Sequence, residues 1–73
     1  DSVERYLSEQ GTRFREKRLQ ANLTQLEVAH LLNISQAIIS HIETGRFLPS
    51  KDLEEDLLEI YEKRRTNEQT LLL

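Results

Sequence analysis

The sequence predicts an all-α domain: a compact bundle of four helices, with the tail as the only place for a fifth. Three observations predict it. Apolar residues recur at three- and four-residue spacing through most of the chain. Good helix caps stand at Thr24, Ser35 and Ser50. Asn33 and Gly45 stand where two of those helices would stop.

The centre runs from Thr24 to Gly45 and predicts two short helices joined by a tight turn. Thr24 is an N-cap, and Glu27 three residues on completes a capping box. Val28, Ala29 and Leu32 share one helical face. Asn33 tolerates the left-handed backbone, so it can end that helix and turn the chain at once. Ile34 is the only large apolar residue of the turn and is expected to anchor in the core. Ser35 caps the next helix, Ile39 and Ile42 share its inner face, and Gly45 stops it.

Before this centre, Ser2 can cap a first helix with Val3, Tyr6 and Leu7 as its apolar side. Gly11-Thr12 interrupts that pattern. Either one helix runs through, or a short arm precedes a helix starting at Thr12; the first is the expectation. On this division residues 1–10 are a helical extension or arm, 11–65 the main domain and 66–73 a tail. Phe14 is the first firm core residue, Leu19 is expected at the core's edge, and Ala21-Asn22 is a break before the buried Leu23.

After the centre, Arg46-Phe47-Leu48-Pro49 is a loop, and Ser50 caps a last helix carrying Leu53, Leu57, Ile60 and Tyr61. Its acidic first turns and the basic Lys63, Arg64 and Arg65 suit the helix dipole. Thr66-Asn67 weakens the pattern. Leu71-Leu72-Leu73 has no evident partner and is either the stub of a following segment or a dimer contact.

Size and composition narrow the function. A chain of 73 residues is one small domain, too small to enclose a large substrate cavity. No Ser-His-Asp set, carboxylate pair, phosphate-cradling glycine loop or metal cluster is visible, so no enzyme, cofactor or metal is expected. His30 and His41 fall on different helices. The absence of cysteine fits a reducing compartment, and a cytoplasmic setting is expected. No apolar run approaches the ~20 residues that span a membrane. A start at Asp1 with no methionine anywhere suggests a trimmed piece of a larger protein.

The net charge of −3 is unevenly spread. Residues 1–12 carry a net −2 and residues 52–73 a net −4. Between them, Arg13, Arg15, Lys17, Arg18, Arg46 and Lys51 face only Glu16, Glu27 and Glu43, a net of +3. A molecule polarised in this way can turn its basic middle toward phosphates.

Thr24-Gln25, Val28-Ala29, Asn33-Ile34-Ser35, Ile39-Ser40, Ile42-Glu43 and Gly45-Arg46 together resemble the helix-turn-helix of the Cro/phage-repressor (XRE) family of DNA-binding domains. Gly11, Phe14, Arg18, Leu23 and Pro49-Ser50 extend the resemblance over about residues 11–60. Asn33 departs from the glycine more usual there, at little cost to the backbone. The resemblance implies a sequence-specific transcription regulator of repressor type, in bacterial or phage surroundings, working as a homodimer on double-stranded DNA. It also implies that Arg18 supplies the cation for an inward-facing Glu43.

A recognition helix reads bases from its amino-terminal end in the major groove. With Ile39 and Ile42 committed inward, Gln36, Ala37, Ser40 and His41 are the candidate base readers, with Ile38 at the margin. Gln36 suits adenine, Ala37 a thymine methyl, Ser40 a base edge or phosphate, and His41 guanine or phosphate. The resemblance places Gln25, Thr44 and Arg46 against the DNA backbone. Thr24 joins them at a helix amino terminus, the natural place for phosphate. Arg13 and Lys51 are phosphate contacts or merely solvated charges. Phe47 and Leu48 are candidate dimer contacts, although Phe47 can equally fold back on the core.

Leu26 and Leu31 stand where the family is usually polar. They are scattered surface leucines, cover for the Val3/Tyr6/Leu7 segment, or a surface for a protein partner. The last reading supports a rival function: a helix-turn-helix interaction module of antitoxin or coactivator type.

Overall fold

Four helices account for the architecture of the computed structural model, which describes the backbone of residues 1–72 and the side chains of residues 1–64. They are α1 (Ser2–Gln20), α2 (Gln25–Leu32), α3 (Gln36–Glu43) and α4 (Lys51–Leu72). No strand occurs among the described residues.

The first helix runs through Gly11 without a break. Its cap is Asp1 rather than Ser2: the Asp1 carboxylate accepts from the Glu4 N–H at 3.0 Å, and Ser2 is already helical. A carboxylate also answers the positive end of the helix dipole, which a hydroxyl cannot do with charge. Gly11 is there for packing. A Cβ at this position would lie 2.5 Å from the Glu43 carbonyl oxygen and 2.6 Å from that of Ile42. The backbone of α1 therefore rests directly on the end of α3, an approach that only glycine permits.

Both central caps form. The Thr24 hydroxyl accepts from the Glu27 N–H at 3.1 Å, and the Glu27 carboxylate accepts from the Thr24 N–H at 3.0 Å. The Thr24 N–H, and after it the Thr24 side chain, bond the Glu27 carboxylate and hold its pKa below the ordinary value. Ser35 accepts from the Ala37 N–H at 3.2 Å, and Ser50 from the Leu53 N–H at 3.2 Å.

Three of the helices close in the same way, with a left-handed residue just past the last turn. Asn22 ends α1 at φ 58°, Asn33 ends α2 at φ 56°, and Gly45 follows α3 at φ 80°. In each case the next N–H reaches back to a helix carbonyl: Leu23 to Arg18 at 3.2 Å, Ile34 to Ala29 at 3.0 Å and Arg46 to His41 at 2.9 Å. These closures convert the sequence breaks into sharp, satisfied turns.

The core gathers Phe14 and Ala21 from α1 and its end, Leu23 from the turn, Val28 and Ala29 from α2, Ile39 and Ile42 from α3, and Leu57 and Tyr61 from α4. Phe14, Ile39, Leu57 and Val28 are the largest fully buried side chains. Burial of each such side chain contributes about 1.5–3 kcal/mol. Ile34 packs against the core from the turn while remaining half-buried. Leu19, expected at the core's edge, instead faces solvent. The helical backbone of α4 continues past Thr66-Asn67 to Leu72. The contact proposed for Leu71-Leu72-Leu73 lies outside the residues whose side chains are described.

Candidate nucleic-acid interface

Helix α3 is eight residues long, and its inner face is fully spoken for. Ile39, Ile42 and Glu43 are buried. A helix of this pitch then turns the intervening positions outward. Gln36, Ala37 and His41 are exposed, while Ser40 and Ile38 are half-buried at the margins. The four candidate base readers thus lie on the outer side of one short helix, with Ser40 the least accessible.

Glu43 anchors the far end of that helix. Its carboxylate takes two bonds from Arg18, Nε to Oε2 at 2.7 Å and Nη2 to Oε1 at 2.9 Å. Arg18 also donates Nη1 to the Leu23 carbonyl at 2.8 Å. The bond to Glu43 outweighs the cost of burial and raises the Arg18 pKa above its already high ordinary value. No buried side-chain nitrogen or oxygen lacks a partner among the described residues.

The candidate phosphate contacts divide. Thr24 is exposed, but its oxygen accepts from the Glu27 N–H and its side chain also bonds the Glu27 carboxylate, so its hydroxyl reaches a phosphate only by turning away from Glu27. Gln25 is half-buried, and its Nε2 donates to Glu43 Oε1 at 3.1 Å. That bond points part of its amide at the ion pair. Thr44 is exposed, but its hydroxyl donates back to the Ser40 carbonyl at 2.9 Å. In this rotamer Thr44 has no proton left for a phosphate oxygen, which accepts only. Arg46 is exposed and forms no ion pair among the described residues. It is the freest cation beside α3. Arg13 is exposed and held to Gln10 Oε1 at 3.3 Å, and Lys51 is exposed at the start of α4.

Of the candidate dimer residues, Leu48 is exposed and Phe47 is 42% exposed, its ring set edge-on to His41. Phe47 therefore stays at the surface beside α3 instead of entering the core. Leu26 and Leu31 are 55% and 60% exposed. Together with Leu23, Glu27, His30 and Arg64 they line an open groove of about 350 Å³.

Sequence reasoning missed three relationships. The Gln25–Glu43 bond and the His41–Phe47 contact join residues at separations that no helical period selects. The rest of Gly11 on α3 had one signal, a glycine within a helix whose neighbours Leu7, Phe14 and Arg18 all fall on its own face.

With this geometry in view, comparison with known proteins is decisive at the level of family. A helix-turn-helix family model matches residues 14–66, most of the chain. The chain belongs to the Cro/phage-repressor type of helix-turn-helix proteins. No curated protein and no solved structure matches it. The helix-turn-helix is α2, the Asn33 turn and α3. Membership makes the chain a DNA-binding regulator of a family that is typically not enzymatic. Among the described residues no helix is long and apolar enough to cross a membrane, and no group of three His, Cys, Asp or Glu side chains could hold a metal ion.

Proposed function

We propose that the chain is a sequence-specific transcription regulator of repressor type that inserts α3 into the DNA major groove and acts as a homodimer on a two-fold site. The observation that carries this reading is the division of α3. Ile39 and Ile42 are buried behind it, and Gln36, Ala37 and His41 are exposed in front. Gln36 hydrogen-bonds an adenine edge, Ala37 meets a thymine methyl, and His41 donates to guanine or phosphate, with Ser40 beside it. Arg46 and Thr24 grip phosphate, helped by the amino terminus of α2; Gln25 joins them through whatever part of its amide Glu43 leaves free. Thr24 contributes its hydroxyl only after it turns away from Glu27, and Thr44 only after its own turns away from Ser40.

One domain of this size contacts few base pairs, so specificity comes from two copies on half-sites about one helical turn apart. Exposed Leu48 is the residue we assign to that contact. The setting that fits is the cytoplasm of a bacterium, at the nucleoid.

Selection of binding sites from random duplexes at two salt concentrations tests the proposal. Recovery of a palindromic site, with affinity falling steeply as salt rises, supports it. Failure to enrich any sequence overturns it in favour of a second reading: an interaction module of antitoxin or coactivator type. The open groove lined by the exposed Leu26 and Leu31 favours that alternative.

A further inference from the structure

His41 and Phe47 are six residues apart, and no helical period joins them, yet their ring centroids are 5.9 Å apart with the planes crossed at 82°. The closure of α3 brings this about. Past Thr44 the chain turns through Gly45 at φ 80°, and the N–H groups of Gly45 and Arg46 bond back to Ile42 and His41 at 3.2 and 2.9 Å. Helix α1 confines the turn from outside. A Cβ on Gly45 would lie 3.0 Å from the Cα of Ser8 and 3.1 Å from the carbonyl carbon of Leu7. The loop thus leaves α3 on one course, and that course delivers the Phe47 ring to the imidazole.

We propose that Phe47 is a positioning residue for DNA reading: it holds the His41 imidazole in the orientation that reaches a base edge. This rests on α3 being the recognition helix. An exposed histidine otherwise samples several rotamers, and ordering it on binding weakens affinity. An edge-to-face aromatic contact biases such a rotamer equilibrium by about two- to tenfold. The exposed apolar ring beside α3 thereby has a use within one copy of the chain, independent of any second copy.

Binding-site selection with the wild type, H41A, F47A, F47L, F47Y and the H41A/F47A double variant tests this, beside NMR of the His41 ring protons in the free proteins. Phe47 is at the surface, so the variants are expected to fold, and thermal melting checks that. F47A and F47L should lose discrimination at the same base position as H41A, by about two- to tenfold. The double variant should lose no more than H41A alone, and F47Y, which keeps a ring, should match the wild type. In the free protein, F47A should abolish the ring-current shift of the His41 protons. Unchanged base preference in F47A overturns the proposal. So does a uniform loss across all sequences accompanied by dissociation to monomer in sedimentation, which would make Phe47 a subunit contact instead. If the wild type itself enriches no sequence, the recognition reading has failed; a retained His41 shift then shows that the contact exists without serving DNA, and an absent shift overturns the contact as well.

Discussion

The guanidinium of Arg18 closes on the carboxylate of Glu43 as a two-bond fork, and both residues are nearly sealed from water, at 7% and 8% exposure. Leu23 accepts a third Arg18 bond and Gln25 adds a bond to Glu43. Four segments therefore meet at one charge pair: α1, the turn after it, the first residue of α2 and the last of α3. Such a pair sets geometry more than net stability, because desolvation offsets most of the attraction. Loss of either partner is different, since it strands the other charge. R18A and E43A should each cost about 3–5 kcal/mol in urea denaturation, whereas the paired apolar replacement R18M/E43L should cost much less. Single-variant losses below about 0.5 kcal/mol would show the pair to be incidental.

Gly11 supplies a test of the α1–α3 approach. Alanine is the better helix former by about 1 kcal/mol, so propensity alone predicts that G11A is stabilising. The Cβ would stand 2.5 Å from a backbone oxygen that has no rotamer by which to escape. The expected result is a lower melting temperature and a net loss of about 2 kcal/mol, since the helices must separate. A higher melting temperature would mean that α1 and α3 do not lie this close.

The left-handed turn at Asn33 makes a prediction about residue type. N33G should be tolerated within about 0.5 kcal/mol, because glycine adopts φ 56° freely. N33V should cost about 1–2 kcal/mol or more, as a branched side chain is strained in that conformation. Chemical denaturation of the two variants measures the difference, and equal stability would contradict the turn.

Much of this architecture was legible in advance, for physical reasons. Caps are local: Thr24 and Glu27, Ser35, and Ser50 mark helix starts because their side chains bond N–H groups two or three residues away. The core face of α3 follows from the spacing of Ile39 and Ile42. At the amino terminus the sequence pattern puts the cap on Ser2, one residue too far along, because a hydroxyl at that point fits the cap pattern as well as the Asp1 carboxylate does. Leu19 was misplaced because a short period fits a half-exposed residue as well as a buried one. The fine structure of the interface was illegible for a deeper reason. The bonds from Gln25 to Glu43 and from Thr44 to Ser40, and the ring contact of Phe47, depend on rotamers and on how the helices cross. A pattern along the chain contains neither.

Tyr61 gives the domain a limit at high pH. It is buried in the core, and burial pushes its phenol up to about 12 from an ordinary 10.0, with the Glu43 charge adding to the rise and Arg18 opposing it. The folded state thus keeps a proton that the unfolded chain releases. This contribution is complete below pH 10 and is lost as the pH rises through about 12. Stability measured by urea denaturation should fall by about 2 kcal/mol across that window. Y61F, which cannot ionise, should flatten this part of the profile; an unchanged slope in Y61F would assign the loss to other groups.

The central claim is that α3 reads bases while the residues around it grip phosphate. Its most direct test is the affinity of the wild type, Q36A and R46A for the preferred duplex and for one altered at the base facing Gln36, by fluorescence anisotropy at two salt concentrations. Q36A should lose about 1–3 kcal/mol on the preferred duplex and no longer distinguish the two. R46A should weaken both duplexes alike and lower the salt slope by about one. A Q36A protein that keeps the wild-type affinity and preference would contradict the account.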